Sequence, residues 1–266
     1  MRTQRFCVTG ILCIIAVAVG NSAGGDERIN DRPHLVIVIA EPEYKTDQTL
    51  PAFAKSELEK DFRVSLVFGS KTDPHDLPGL DVLKDADALL ISVRRRMLPA
   101  AQMQLIRKYI AAGKPVIGIR TASHAFSLRG QVQPPAGYEL WETFDPDVLG
   151  GHYVGHHNND LATVLRVAPG AAEHPILAGV DLKALAGNGS LYEVSPLAKS
   201  TTPLLIGSIP GKPDEPVAWT NTTSAGGRVF YTSLGHVQDF EQPAFRRLLK
   251  NGIVWAMGSK IRRDKN

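Results

Sequence analysis

Three of the chain's eight histidines fall within six residues, in Gly150-Gly151-His152-Tyr153-Val154-Gly155-His156-His157. Imidazole is the side chain best suited to proton transfer or metal ligation near neutral pH. The glycines let the backbone bend and approach a ligand closely, so the stretch reads as a site loop. His152 and His156 have helical spacing, but Gly150, Gly151 and Gly155 argue against the helix that would pair them as ligands. Two further histidines follow apolar runs: His124 closes Arg120-Thr121-Ala122-Ser123-His124, and His236 closes Ser233-Leu234-Gly235-His236. His124, His156 and His236, with Glu193 or Asp239 as a carboxylate, are the residue types that could hold a divalent metal. Without a metal, His156 and His236 are the candidates for general acid and base on a hydroxyl or carbonyl. His152 and His157 read as partners of loop backbone, and His174 as the residue that fixes the turn before Pro175. His34 and His75 read as surface or strand-end residues.

Arg120 sits where many α/β enzymes carry a nucleophile on a strand-to-helix bend. Arginine cannot attack, but its planar donor fork binds an oxyanion, a carboxylate or sugar hydroxyls. The alternative is that Arg120 pairs with a buried acid and Ser123 caps the turn. Glu43 and Tyr44 in Glu41-Pro42-Glu43-Tyr44-Lys45 offer a carboxylate for a sugar hydroxyl and a ring for a sugar face. Equally, Glu41 or Glu43 could serve the dipole of the following helix. Arg94-Arg95-Arg96 brings at least one cation, represented by Arg94, to the same region. Trp141, Tyr153 and Trp219 are the aromatics for a carbohydrate groove, with core packing favoured for Trp219.

The elements that must position these groups alternate between strand and helix. His34 to Ala40 (HLVIVIA) is continuously apolar, as a parallel strand covered on both faces requires. Thr46 to Lys60 has helical spacing, with Leu50, Phe53, Ala54 and Leu58 on one face. Strands over Arg63–Phe68, Ala86–Ser92 and Pro115–Ile119 follow, separated by a short helical piece at Leu77–Leu83 and a helix at Pro99–Ala112. The pattern predicts a doubly wound parallel sheet, with ligands beyond the carboxyl ends of its strands. The loops after the first, third and fourth strands therefore converge. The second half adds β-like runs at Ala162–Val167, Leu191–Val194, Leu204–Ser208, Val217–Thr220 and Arg228–Ser233, which extend or flank the sheet. A helix over Pro243–Met257 closes the fold.

The chain has 266 residues, 43% of them hydrophobic, enough for one good core. Its formal charge of +3 comes partly from the two ends. No basic stripe interleaved with aromatics is present, which argues against nucleic acid. Arg2 and Arg5, the apolar run Phe6–Val19 and the small residues Gly20, Ser22 and Ala23 read as a signal peptide over residues 1–23. An uncleaved N-terminal membrane anchor is the alternative. Residues 24–32 read as a linker, 33–258 as one domain and 259–266 as a basic tail. Both cysteines, Cys7 and Cys13, lie in the signal-like segment, so a processed chain has no disulfide, cysteine nucleophile or thiolate site. Neither a dinucleotide fingerprint nor a phosphate loop occurs, so no nucleotide cofactor is indicated.

Four motifs together resemble the ThuA-like (trehalose utilisation) family: Ile117-Gly118-Ile119-Arg120 leading to Ser123-His124-Ala125-Phe126; Leu149-Gly150-Gly151 with His156; His174-Pro175-Ile176; and Gly227 to His236 (GRVFYTSLGH). The resemblance spans His34 to Met257. It implies the flavodoxin-like fold of the class I glutamine amidotransferase-like superfamily, and singles out His156 and His236. It also implies use of disaccharides through keto-sugar intermediates. Arg120 replaces the amidotransferase cysteine, so glutaminase activity is not expected. Where many relatives have an acidic pair before Leu-Tyr, this chain has Gly189-Ser190, leaving Glu193 as the nearest carboxylate. Two readings stand. One is an exported enzyme performing acid/base chemistry, with or without a metal, on a carbohydrate: hydrolysis, elimination or isomerisation. In it His156 and His236 act, Arg120 stabilises negative charge, Glu43 positions hydroxyls, and Tyr44, Arg94, His124, Tyr153, Glu193 and Asp239 line the site. The other is a non-catalytic carbohydrate-binding or accessory protein. A metal-dependent amide hydrolase is a third, weaker reading. The sequence specifies neither substrate nor oligomeric state.

Overall fold

The all-apolar run His34–Ala40 forms β1, and every one of its residues is buried. Its side chains divide by strand alternation: Leu35, Ile37 and Ile39 enter one core, Val36 and Val38 the other. A strand that feeds two cores must be central and covered on both faces, and that decides the architecture. The computed structural model describes residues 32–158 and 162–258. The signal-like segment, nearly all of the linker and the basic tail lie outside the described residues.

One eight-stranded sheet runs through the molecule. Its strands are β1, β2 (Arg63–Phe68), β3 (Ala88–Val93), β4 (Val116–Ile119), β5 (Val164–Val167), β6 (Thr202–Ser208), β7 (Glu215–Thr222) and β8 (Arg228–Thr232). Their order across the sheet is β2-β1-β3-β4-β8-β7-β6-β5. The first five are parallel, from β2 through β8. The last three pairings are antiparallel. The late strands thus extend the sheet on one edge. Leu191–Val194 does not join it: Tyr192–Glu193 instead forms a small antiparallel ribbon with Gly155–His156.

Helices cover both faces. α1 (Thr46–Phe53) and α3 (Pro243–Met257) pack on one core, and α2 (Ala100–Ala111) on the other. The helix expected over Thr46–Lys60 changes character after Phe53, continuing as a π-turn over Ala54–Leu58. Pro51 lies inside α1, where it lacks the donor for an i→i−4 bond; the regular helix ends two residues later. α3 lies close on the sheet because Gly252 presents no side chain. A Cβ there would sit 2.1 Å from Phe230 Cδ1 of β8. Among the described residues no helix is long and apolar enough to cross a membrane.

The parallel strands deliver four loops to one edge: Glu41–Lys45 after β1, Arg94–Arg96 after β3, Arg120–His124 after β4 and Ser233–His236 after β8. The first three are the convergence expected from strand–helix alternation. Histidines expected at strand ends or turns differ in exposure. His34 opens β1 but is only 2% exposed, its Nε2 2.8 Å from Ser65 Oγ, so it is buried and not a surface residue. His174 fixes its turn, with Nδ1 accepting from the Ile176 N–H at 3.2 Å.

Candidate functional site

Backbone strain marks the site before any side chain is considered. Among the described residues, three non-glycine residues have positive φ: Lys45 at 55°, Arg95 at 50° and Arg120 at 46°. Left-handed backbone costs an L-residue roughly 1–2 kcal/mol, and such strain persists where surrounding structure over-determines it, often at functional sites. The three follow β1, β3 and β4 respectively, at the edge where open α/β sheets bind ligands.

Arg120 is the centre. It is 2% exposed, and the Tyr231 hydroxyl donates to its carbonyl at 2.6 Å. Its Nη1 donates to the carbonyls of Ser233 at 2.7 Å and Ser190 at 3.1 Å. Its Nη2 donates to Ser190 Oγ at 3.0 Å and, weakly, to Tyr44 Oη at 3.4 Å. The guanidinium carbon lies 4.6 Å from the Tyr44 ring centre and 4.5 Å from that of Tyr192. Two ring faces and two carbonyls thus take the place of the buried acid that could have paired with it. Only Nε has no partner. Arg120 ties the β1, β8 and Ser190 loops together, and four of its five N–H bonds are directed at protein atoms, not at the cleft.

This arrangement constrains position 189. A Cβ at position 189 would lie 2.3 Å from Arg120 Nη2 and 2.5 Å from its guanidinium carbon. Any side chain there competes with the guanidinium for the same space. Gly189 and Arg120 are therefore one structural solution.

Around Arg120 the rings form a connected set. His236 meets Tyr44 edge-on, with centroids 5.7 Å apart. On the other side His124 stacks on Tyr153 at 4.3 Å, and both approach Tyr192, at 5.9 and 4.8 Å. His156 lies 6.2 Å from the same Tyr192 ring. The histidine loop reaches this position because it is zipped to the 191–194 segment. His152 N donates to Val194 O, Val154 N to Glu193 O, and His157 N to Leu191 O. Its inner end is anchored by Asp145, whose Oδ2 accepts the Tyr153 N–H at 2.7 Å.

The histidines differ in what they can do. His124 is buried, and burial together with Arg95, Arg94, Arg120 and Arg129 pushes its pKa down to about 2. Its ring stays neutral, with Nδ1 3.2 Å from Ser123 Oγ. His156 is exposed, and its Nδ1 lies 2.9 Å from the His157 carbonyl. A carbonyl only accepts, so that bond assigns the proton to Nδ1 and leaves Nε2 free to accept. His236 Nδ1 faces the Gln238 N–H at 3.4 Å, which makes Nε2–H the donor in its neutral form.

Several residues expected at the site serve other ends. Asp239 is 0% exposed and holds the His236 turn, accepting the N–H groups of Gly235 at 2.7 Å, His236 at 2.9 Å and Asn188 at 3.1 Å. It scaffolds the site and cannot meet a ligand. Glu43 is half-exposed at the rim, its Oε2 2.5 Å from Arg94 Nε in an ion pair. Glu41, not Glu43, serves the helix start: it is buried and accepts from Tyr44 N, Thr46 N and Thr46 Oγ1. Glu193 lies on the ribbon, 3.9 Å from His157 Nε2. The set His124, His156 and His236 is not assembled as a metal centre: among the described residues no group of three His, Cys, Asp or Glu side chains is placed to hold an ion. The reason is topological, since His156 and His236 approach different tyrosines. Trp141 lines a separate groove, with Arg107 over its ring at 4.2 Å. Trp219 is fully buried and donates to Leu149 O at 2.7 Å.

Sequence reasoning missed Tyr192, Ser190, Ser233 and Tyr231 as partners of Arg120, and Asp145 as the loop anchor. Their signals were ordinary residues in β-like or polar runs. Arg95 stood in the noted arginine run, but nothing local marked its strained backbone.

Two solved structures share the fold. A ThuA-like protein from Bacteroides uniformis superposes with a TM-score of 0.60 at 17% identity, covering 85% of this chain and 91% of its own. A second from Parabacteroides merdae gives 0.59 at 16% identity, covering 86% and 91%. No curated protein matches the chain. The model of the ThuA family, described as trehalose utilisation, matches residues 35–256. That span takes in the eight sheet strands, all but the first residue of β1, and all four loops of the site, and the chain belongs to the ThuA family.

Proposed function

We propose that this protein acts on a carbohydrate or keto-sugar by acid/base chemistry at the cleft around Arg120. The observation that carries the reading is the complementary tautomer pair: His156 with Nε2 free to accept, His236 with Nε2–H free to donate. Each stands one aromatic ring from the same buried guanidinium. An acceptor and a donor, each one ring away from the same cation, suit removal of a proton beside a carbonyl and protonation of its oxygen. Arg120 positions Tyr44 and Tyr192 and contributes a fixed positive potential, although its donors are engaged. Neutral, buried His124 stacks behind the half-buried Tyr153 ring, which is the one of the two that can meet a sugar. The elbow residue is Arg120, which has no nucleophilic atom, so this reading involves no acyl-enzyme route of the glutaminase kind. The activity lies outside the cytoplasm on this reading, which the signal-like residues 1–23 support; sequencing the N-terminus of the secreted protein checks that.

A non-catalytic carbohydrate-binding role is the second reading. It is favoured by the engagement of Arg120 and by Gly189-Ser190, which bring no carboxylate to the cleft. His236→Ala separates the two, with trehalose and its 3-keto derivative as probes. Catalysis requires turnover of the keto-sugar to fall by about 100-fold or more while binding persists. Unchanged turnover would sink the assigned role of His236, and binding without turnover in the wild type would leave the second reading.

A further inference from the structure

The charge around the cleft is unbalanced, and the imbalance bears on the ligand. Arg94, Arg95 and Arg96 follow β3, and Arg120 and Arg129 flank the turn after β4. Against these five cations stand three carboxylates at the strand ends, Glu41, Glu43 and Asp239, while Asp145 is buried under the Tyr153 N–H and Glu193 lies on the ribbon beside His157; each has a task. Glu41 is saturated by backbone and hydroxyl donors. Asp239 is saturated by the His236 turn and Asn188. Glu43 pairs with Arg94. Among the described residues that pair is the cluster's one ion pair.

Arg96 Nε donates to the Ala40 carbonyl at 3.3 Å and Arg120 is engaged by Ser190, Ser233 and Tyr44, so Arg95 and Arg129 remain. Arg95 Nε is buried without a partner, and its Nη1 reaches only the Ser127 carbonyl at a long 3.4 Å. Its strained backbone is held by the bond from its N–H to His124 O at 3.0 Å. Arg129 is exposed and makes no ion pair among the described residues. Both bear on the same two rings: the Arg95 N–H is bonded to His124 O and its Nη1 faces Ser127 O, two residues before Arg129, and both charges act on His124 and the Tyr153 phenol. The field is strong enough to help keep the His124 ring uncharged. A neutral sugar offers nothing to balance such a cluster, whereas a carboxylate matches an arginine fork with two parallel hydrogen bonds. A phosphate would more commonly meet a cradle of backbone N–H groups, and the chain has no phosphate loop.

We propose that the ligand of this cleft carries a carboxylate, a sugar acid in place of a neutral disaccharide, held by Arg95 and Arg129 beside Tyr153. The sugar part rests on the carbohydrate reading above; the anionic part rests on the arginines alone.

Calorimetric titration of the full chain at low ionic strength with glucuronate, glucose, acetate and glucose 6-phosphate tests it. Glucuronate is expected to bind at least about tenfold tighter than glucose, with the preference shrinking in ~0.5 M salt. Arg129→Gln and Arg95→Gln are each expected to cut the glucuronate-to-glucose ratio by about fivefold or more. Arg129 is exposed, so its variant keeps the fold even if Arg95→Gln does not. Equal affinity for glucuronate and glucose overturns the inference and leaves the carbohydrate reading intact. Acetate binding as tightly as glucuronate supports the anion site and removes the carbohydrate reading. Tighter binding of glucose 6-phosphate, an unchanged ratio in Arg129→Gln, or no binding of any anion overturns the inference.

Discussion

Asp145→Asn is expected to flatten the dependence of stability on pH. Asp145 lies in the π-turn Asp145–Leu149, is 4% exposed, and burial pushes its carboxyl up from an ordinary 3.8 to about 7. The Tyr153 N–H on Oδ2 opposes that rise, but Oδ1 is buried with no partner. The folded state therefore binds more protons than the unfolded chain between these two values, so stability falls as pH rises through that window and levels off above it. With those two pKa values, the cost is about 2 kcal/mol at pH 5 and about 4 kcal/mol at pH 8.5, a difference on the order of 2–3 kcal/mol. Asparagine cannot titrate and loses this term. It brings its own cost, since an amide N–H₂ at the unpartnered position is left unsatisfied by about 1–3 kcal/mol, but that cost does not vary with pH. Urea unfolding followed by fluorescence of the buried Trp219 measures both proteins at pH 5 and 8.5. Relative to wild type, the variant gains on the order of 2–3 kcal/mol between the two pH values, and other titrating groups cancel in the comparison. Parallel pH curves for the two proteins would refute the reasoning, whatever their vertical offset.

Two further perturbations probe the frame of the site. Gly252→Ala improves helix propensity by about 1 kcal/mol yet places a methyl group against the buried Phe230 ring, so a net loss of about 1–3 kcal/mol is expected in urea unfolding. A stabilised variant would show that α3 can lift from the sheet at no cost. Arg120→Lys keeps the charge but cannot span the Ser190, Ser233 and Tyr44 oxygens, and is expected to lose on the order of 3 kcal/mol. A loss under about 1 kcal/mol in the same assay would mean that the guanidinium is not what joins the loops.

Local regularity made most of the fold readable. HLVIVIA could only be a strand covered twice, and it is. Arg63–Phe68 and Pro243–Met257 match their elements end to end because apolar period and flanking residues agree there. Strand–helix alternation also implied that Glu41–Lys45, Arg94–Arg96 and Arg120–His124 share one edge. That follows from parallel pairing alone and needs no side-chain detail.

Amino-acid order by itself determined the sheet, the edge that carries the site and the family motifs. Tertiary structure decided what each site residue does. Arg120 looked like a ligand for oxyanions; its partners Ser190 and Ser233 lie 70 and 113 residues away, and only folding shows that they engage it. Asp239 and Glu43 are both acids near the site, yet one is buried under N–H donors and the other is half-exposed beside Arg94. Three histidines suggested a metal, but the rings approach different tyrosines. Periodicity is a property of neighbours in the chain, so sequence reports it. Burial, strain and the pairing of charges are properties of neighbours in space, and they exist only once the chain has folded.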